Sequence, residues 1–271
     1  LEQDEVFSIG LQEEWKSVTL GLIAAEALTA SDGTSIPADG LIETIGVDEN
    51  GNAAFTTDVP CGASLYVKEI ATDDHYILSD EKYPVVFEYA GQDVAVVEID
   101  VNNGEAIENK LKRGKISGWK VDQDGFELGG AVIGLFRPDE TEFTEKTALM
   151  VAESNEIGYF EFNNVPVGNW LVREIAPPAA FVLSEERFPV EITEDGQTIE
   201  ITIENQIIRG TVETTKVDAD YPDHKLSGAV FEIYADVDNN GKFDANVDRL
   251  VGEMSETEPG LYQLKDLACG N

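Results

Sequence analysis

The chain has 271 residues, 42% of them hydrophobic and 27% charged, a composition typical of soluble globular domains. Its 54 acidic and 18 basic residues give a formal net charge of −36. Nucleic acid and anionic membrane surfaces bind basic patches, so this charge argues against both as partners. No apolar run is long enough for a membrane span, and the start at Leu1 looks like an interior cut. We therefore expect any targeting or anchoring segment to lie outside this sequence.

Related segments recur along the chain at intervals of about 100 residues, too long for a solenoid unit and typical of tandem domains. The segment "IENKLKRGKISGWKVDQDG" from Ile107 matches "IENQIIRGTVETTKVDADY" from Ile203. The linkers within these segments are short and lack Pro, Gly or Ser tracts, which predicts a fairly stiff rod. The match predicts domain one at 1–112, domain two at 113–208 and domain three at 209–271. By this alignment, domain one lacks part of its first strand and domain three ends before its last strands.

Within each unit, short runs of alternating apolar and polar residues are separated by turn signals such as "DQDG", "NEIG" and "EDGQ". This pattern predicts an all-β fold in which each domain is a β-sandwich. The two cysteines, Cys61 and Cys269, fall at equivalent repeat positions and give no disulfide framework or four-ligand metal site. Since Val167 is the equivalent residue of domain two, we expect both cysteines to be small buried core residues.

Domain one places Glu69 in the apolar run "YVKEI", where an ionised carboxylate is costly to bury. Two asparagines compete as its partner. Strand alternation through the valines and isoleucine of 97–101 favours Asn103, whereas the linker match favours Asn109, and we favour Asn103. No lysine is well placed beside them, because Lys16 abuts the second predicted strand.

Domain two places three polar residues on strand faces that otherwise point into the core. Lys120 shares a face with Ile116 in "GKISGWKVD", and Glu174 shares a face with Val172 in "NWLVREI". Asn205 continues the isoleucine face of "TIEITIENQ". The alternation therefore predicts a lysine, a glutamate and an asparagine that point inward from three strands.

Such a trio has a chemical use, because burial favours the uncharged forms of an amine and a carboxylic acid. The neutral amine of Lys120 is a nucleophile, and the acid of Glu174 can polarise the Asn205 carboxamide and shuttle protons. Attack with loss of ammonia would join Lys120 to Asn205 by an isopeptide bond without an external catalyst. The alternative is a surface lysine with Glu174 as its salt-bridge partner on an edge strand.

The motifs "WKVD", "LVREIAPP" and "IEN" of domain two, with "TKVD" in domain three, resemble the B-type repeats of collagen adhesins and the related SpaA-type pilin domains of Gram-positive bacteria. The resemblance covers essentially the whole chain. It implies transthyretin-like (prealbumin-like, Ig-like) β-sandwiches and spontaneous intramolecular isopeptide bonds. It also implies extracellular display on the cell wall through sortase. In domain one, either the lysine lies before Leu1 or no bond forms.

Domain three contains Lys216 in "TKVD", without a visible glutamate or asparagine partner. Its segment "DVDNNGKFD" has the spacing of a calcium loop, with a structural role for any Ca²⁺. Val247 stands where a bidentate glutamate is expected, so a plain acidic turn is the alternative. The candidate ligands are Asp236, Asp238, Asn240, Asp244 and Asp248.

The sequence as a whole predicts a structural stalk of a cell-wall-anchored adhesin or pilin-like protein. No nucleophile elbow, phosphate loop or metal-binding histidine pair indicates an enzyme with an external substrate. The alternative is a carbohydrate- or host-protein-binding module, in which exposed aromatic residues such as Trp15 cluster on one surface. We expect Trp170 in the core and Trp119 outward but isolated. The identity of any ligand, and the choice between a pilin shaft and a monomeric surface protein, stay open.

Overall fold

A computed structural model describes residues 1–30, 32–86, 88, 91–93 and 97–269. Strands dominate this part of the chain, and its only helical segments are two short 3₁₀ turns, Glu14–Ser17 and Val101–Gly104. No helix in these ranges is long and apolar enough to cross a membrane. The expected all-β fold is confirmed. The predicted domain bounds serve as names for the three units below.

Domain one is organised around one antiparallel sheet. The chain order of its strands is β1 (Thr19–Ala24), β2 (Leu28–Thr29), β3 (Ser35–Ile36), β4 (Leu41–Gly46), β5 (Ser64–Ala71) and β6 (Tyr83–Val86). The sheet has the order β4-β1-β5-β6, and β2 and β3 form a separate hairpin. Apolar residues that alternate along β1 and β5 form a core with Leu22, Leu65 and Val67 at its centre.

Domain two is a sandwich of two sheets. Its strands are β7 (Arg113–Asp122), β8 (Val132–Phe136), β9 (Met150–Glu153), β10 (Tyr159–Pro166), β11 (Gly168–Ala176), β12 (Phe188–Ile192) and β13 (Thr198–Asn205). The sheet β10-β7-β13 faces the sheet β12-β11-β8-β9 across a buried apolar core. All the strand pairs are antiparallel except β13 with β7. The first and last strands of this domain therefore run side by side in the same direction.

Close packing at the centre of β7 depends on a glycine. A Cβ atom on Gly118 would lie 2.5 Å from the ring of Phe160 and 2.6 Å from the carbonyl oxygen of Ile201. Both distances are shorter than van der Waals contact, so only glycine lets β10 and β13 approach β7 this closely. This approach brings the end of β13 next to Lys120.

Domain three contains β14 (Arg209–Thr215), β15 (Glu232–Ala235), β16 (Arg249–Glu253), β17 (Ser255–Glu258) and β18 (Leu261–Ala268). Its sheets are β14-β18-β17 and the hairpin β15-β16. Met254 and Tyr262 are buried, whereas most residues of the described part of this domain are exposed.

The prediction that both cysteines are buried is wrong, because Cys61 and Cys269 are exposed. Their counterpart Val167 is buried since it joins two long core strands, β10 and β11. In domain one the residues 52–60 that precede the cysteine form no strand, so nothing draws Cys61 into the core. Cys269 lies just beyond the end of β18.

Candidate functional site

The structure brings Lys120, Glu174 and Asn205 together between the two sheets of domain two. Lys120 lies on β7 and Asn205 at the end of β13, in one sheet, while Glu174 reaches them from β11 in the other. Their exposed fractions are 0%, 1% and 1%. A surface ion pair between the lysine and the glutamate is therefore excluded, and the strand alternation placed each side chain on its correct face.

Glu174 stands between the other two side chains. The Asn205 Nδ2 atom donates a hydrogen bond of 2.7 Å to Glu174 Oε2, and the Lys120 Nζ atom lies 3.7 Å from Glu174 Oε1. One carboxyl oxygen thus faces the amide nitrogen, and the other faces the amine.

Main-chain groups hold the three side chains in place. Lys120 Nζ donates to the carbonyl oxygen of Ile203 at 2.9 Å, and Asn205 Nδ2 donates to that of Val182 at 2.7 Å. The backbone N–H of Ser184 donates to Glu174 Oε2, also at 2.7 Å. Sequence reasoning missed these backbone partners. Their signal was the shared "LSDE" and "LSEE" pieces of domains one and two, which place a serine at the same point after each glutamate strand.

The electrostatics of the site favour a reactive amine. Burial lowers the pKa of the Lys120 ammonium, and the nearby Glu174 carboxylate opposes that shift only in part. Glu174 Oε1 and Asn205 Oδ1 are buried and have no hydrogen-bond partner among the described residues. Unpaired buried acceptors cost free energy, so the unreacted site is not fully satisfied by hydrogen bonds.

This arrangement suits amide exchange. The Lys120 amine attacks the Asn205 carboxamide carbon, a C–N bond forms, and the bond from that carbon to Nδ2 breaks. Glu174 Oε1 faces the amine and can take its proton, while Oε2 contacts Nδ2 and can protonate the leaving nitrogen. The products are one amide and one ammonia, so the atoms balance without a cofactor.

Domain one repeats half of this site. Glu69 on β5 is buried, and Asn109 Nδ2 donates to both of its carboxyl oxygens at 2.8 Å. The backbone N–H of Ser79 donates to Glu69 at 2.9 Å, as Ser184 does to Glu174. Among the described residues, no lysine is within ion-pair distance of Glu69.

The choice of Asn103 as the partner of Glu69 is wrong. Asn103 is exposed and lies in the 3₁₀ turn Val101–Gly104 with a φ of 55°. Strand alternation does not apply there, because residues 97–100 form no strand. The linker match, which pointed to Asn109, was the better guide. Lys16 is on the surface, paired with Glu13 at 2.5 Å.

The structure brings Lys216 of domain three to no partner carboxylate among the described residues. The residue is exposed just after β14, and its Nζ atom donates only to the neighbouring carbonyl oxygen of Val217, at 3.3 Å. Lys216 therefore has a first-strand position like that of Lys120, but the described part of the chain places no comparable site around it.

Three of the five candidate calcium ligands converge. Carboxylate oxygens of Asp236, Asp238 and Asp248 lie within 4.8 Å of one another, and hard oxygen donors of this kind suit Ca²⁺. Asn240 donates to Asp238, and the Asp244 N–H donates to Asp248, each at 2.7 Å, so these two residues brace the cluster. The Gly241 N–H donates a hydrogen bond to the Asp236 carboxylate. This bond is the main reason that the pKa of Asp236 is lowered. Calcium binding stays a prediction.

Comparison with known proteins bears on the fold of domain two. A family model described as "SpaA: Prealbumin-like fold domain" matches residues 114–207. Over these residues, domain two is similar to the SpaA family of prealbumin-like domains. The expected resemblance to SpaA-type domains is thus confirmed there, and it includes the stretch that carries the lysine, glutamate and asparagine.

One solved structure shows a similar fold over more of the chain. The Bacillus anthracis TIE protein is 21% identical with a TM-score of 0.58, over 93% of this chain and 40% of that one. The C-terminal fragment of the pilus adhesin SpaC from Lactobacillus rhamnosus GG is 12% identical with a TM-score of 0.43, over 74% of this chain and 94% of that one. The first likeness is one of fold, with a protein of which this chain spans 40% of the length. A search of curated proteins found no match.

Proposed function

We propose that this chain is a structural stalk segment of a Gram-positive surface protein, adhesin or pilin-like, and that an isopeptide bond from Lys120 to Asn205 rigidifies domain two. The observation that carries the proposal is the burial of Lys120, Glu174 and Asn205 in one contact network between the sheets. The SpaA-type fold of domain two supports it. Anchoring to the cell wall through sortase belongs to the same proposal.

The position of the bond suits a load-bearing role. Tension along the chain enters domain two at the start of β7 and leaves it at the end of β13, which lie side by side and parallel. A bond from Lys120 to Asn205 would pass that tension directly between the two strands. The residues between 120 and 205 would then carry no load, and the sandwich would stay folded under a pull that breaks hydrogen bonds.

The chemistry we propose is a single turnover on the chain itself. The amine, the acid and the amide all come from domain two, and the reaction consumes its own asparagine amide. On this account the protein is not an enzyme for external substrates. The partners are then the cell wall and a host ligand bound elsewhere in the whole protein.

A second candidate function, binding of a glycan or host protein, rests on a surface feature of domain two. Trp119 is not isolated, contrary to the expectation from sequence. Its ring centroid lies 5.3 Å from that of Tyr159 on the outer face of β7 and β10. Lys115 and Glu161 lie beside this pair, but both already bond within the network. A glycan array with Trp119→Ala as the comparison tests this candidate.

Single-molecule force extension tests the stalk proposal. With the bond in place, stretching the whole chain should release only the parts of domain two outside 120–205. Lys120→Ala should add the length of that segment to the unfolding event, while Lys115→Ala, a surface change on the same strand, should not. If domain two of the unchanged protein extends fully, the load-bearing role is wrong.

A further inference from the structure

A loop of domain one, residues 2–9, reaches onto domain two. Glu2 accepts a hydrogen bond of 3.0 Å from the backbone N–H of Leu111 in the linker and another of 3.0 Å from Arg113 at the start of β7. Arg113 also donates to Asp4 at 2.8 Å. The Tyr76 hydroxyl donates to the Glu2 carbonyl oxygen at 2.9 Å. The loop is thus tied to the linker on one side and to domain two on the other.

The tip of the 2–9 loop is buried against domain two. The Phe7 ring packs edge-on against Trp170, with centroids 4.8 Å apart, and Ile9 lies in the same apolar cluster. Arg137 of domain two donates to the carbonyl oxygens of Val6 and Phe7, at 3.1 and 3.4 Å. An apolar contact surrounded by hydrogen bonds is typical of an interface between domains.

A phenylalanine of domain two provides the contrast. Phe126 lies in the loop that follows β7 and is 66% exposed.

We propose that the 2–9 loop is an interdomain clasp that fixes domain one against domain two. The partner surface is the part of domain two formed by Arg113, Arg137 and Trp170. The clasp contains none of the residues of the isopeptide site. The clasp proposal can therefore be tested independently of the isopeptide bond.

Distance distributions between spin labels on the whole chain test the clasp. The labels are on Cys61 and on Glu156→Cys, with Cys269→Ser, and both labelled positions are exposed. We expect a narrow distribution of distances between them.

Phe7→Ala should widen this distribution. Arg137→Ala should do the same with less disturbance of the core, and it decides the matter should Phe7→Ala not fold. Phe126→Ala, a loss of the same ring in the exposed loop of domain two, is the matched control and should leave the width unchanged. A broad distribution in the unchanged protein, or no widening in Arg137→Ala, would overturn the proposal.

Discussion

Glu174 and Asn205 meet at 2.7 Å inside domain two although their strands belong to different sheets. Lys120 approaches the same carboxyl group from the strand next to that of Asn205. A bond between the lysine and the asparagine would link the first and last strands of the domain. Glu174 contacts both side chains. Its carboxyl group, which can donate and accept protons, therefore lies beside both reacting nitrogens.

Loss of the bond should lower the stability of domain two. A cross-link that closes a loop of roughly 85 residues stabilises by about 4.5 kcal/mol, because it removes chain entropy from the unfolded state. Lys120→Ala should therefore lower the free energy of unfolding of domain two by about that amount or more, measured by urea denaturation. Lys115→Ala breaks only a surface ion pair and should cost about 1 kcal/mol or less. Equal losses in the two variants would contradict the cross-link.

The unreacted site should make stability depend on pH. Asn205→Ala cannot form the bond, so Lys120 stays a buried amine with a lowered pKa. Between that lowered pKa and the ordinary value of 10.5, the unfolded state binds the proton and the folded state does not. Raising the pH through this window should therefore increase the free energy of unfolding of Asn205→Ala. The double variant Asn205→Ala with Lys120→Met should lose this slope, and an unchanged slope would count against a buried neutral amine.

Asn109 and Asn103 should differ in their effect on domain one. Asn109→Ala leaves the buried Glu69 without its amide donor and should destabilise domain one by about 1–3 kcal/mol. Asn103→Ala removes an exposed side chain in a turn and should have little effect on the melting of the domain.

Peptide mass mapping should find Asn109 unlinked in the unchanged protein. A cross-link at Asn109 would contradict the prediction that domain one forms no bond within this chain.

Calcium should stabilise domain three if the acidic cluster binds it. Binding to the folded state alone raises the melting temperature with ligand concentration. We expect added Ca²⁺ to raise the melting temperature of domain three and a chelator to reverse the rise. Asp248→Asn should abolish the response, whereas Asp220→Asn, outside the cluster, should keep it. A melting temperature that does not change when Ca²⁺ is added would show that the cluster is a plain acidic turn.

Strand alternation predicted the site of domain two because a sandwich core fixes which face of each strand is buried. Lys120 and Glu174 could be placed from two short runs of sequence for that reason. The same rule failed at Asn103, since alternation has meaning only within a strand and residues 97–100 form none.

The contact between domains one and two has no comparable pattern in the sequence. The packing of Phe7 on Trp170 joins residues far apart in sequence, and no repeat partner marks it. The loop that carries Phe7 has no strand periodicity, so its burial follows from tertiary packing alone. The pairing of Trp119 with Tyr159 was missed for a related reason, because it depends on the register of β7 against β10.

The intact mass of the whole folded chain tests the central claim most directly. Glu174→Gln keeps the size of the side chain but removes the acid that moves the protons, and Glu161→Gln makes the same change at a surface glutamate on β10. We predict that the unchanged protein and Glu161→Gln each lack the mass of one ammonia, and that Glu174→Gln and Lys120→Ala keep it. A folded, unchanged protein with its full calculated mass would contradict the bond and the function built on it.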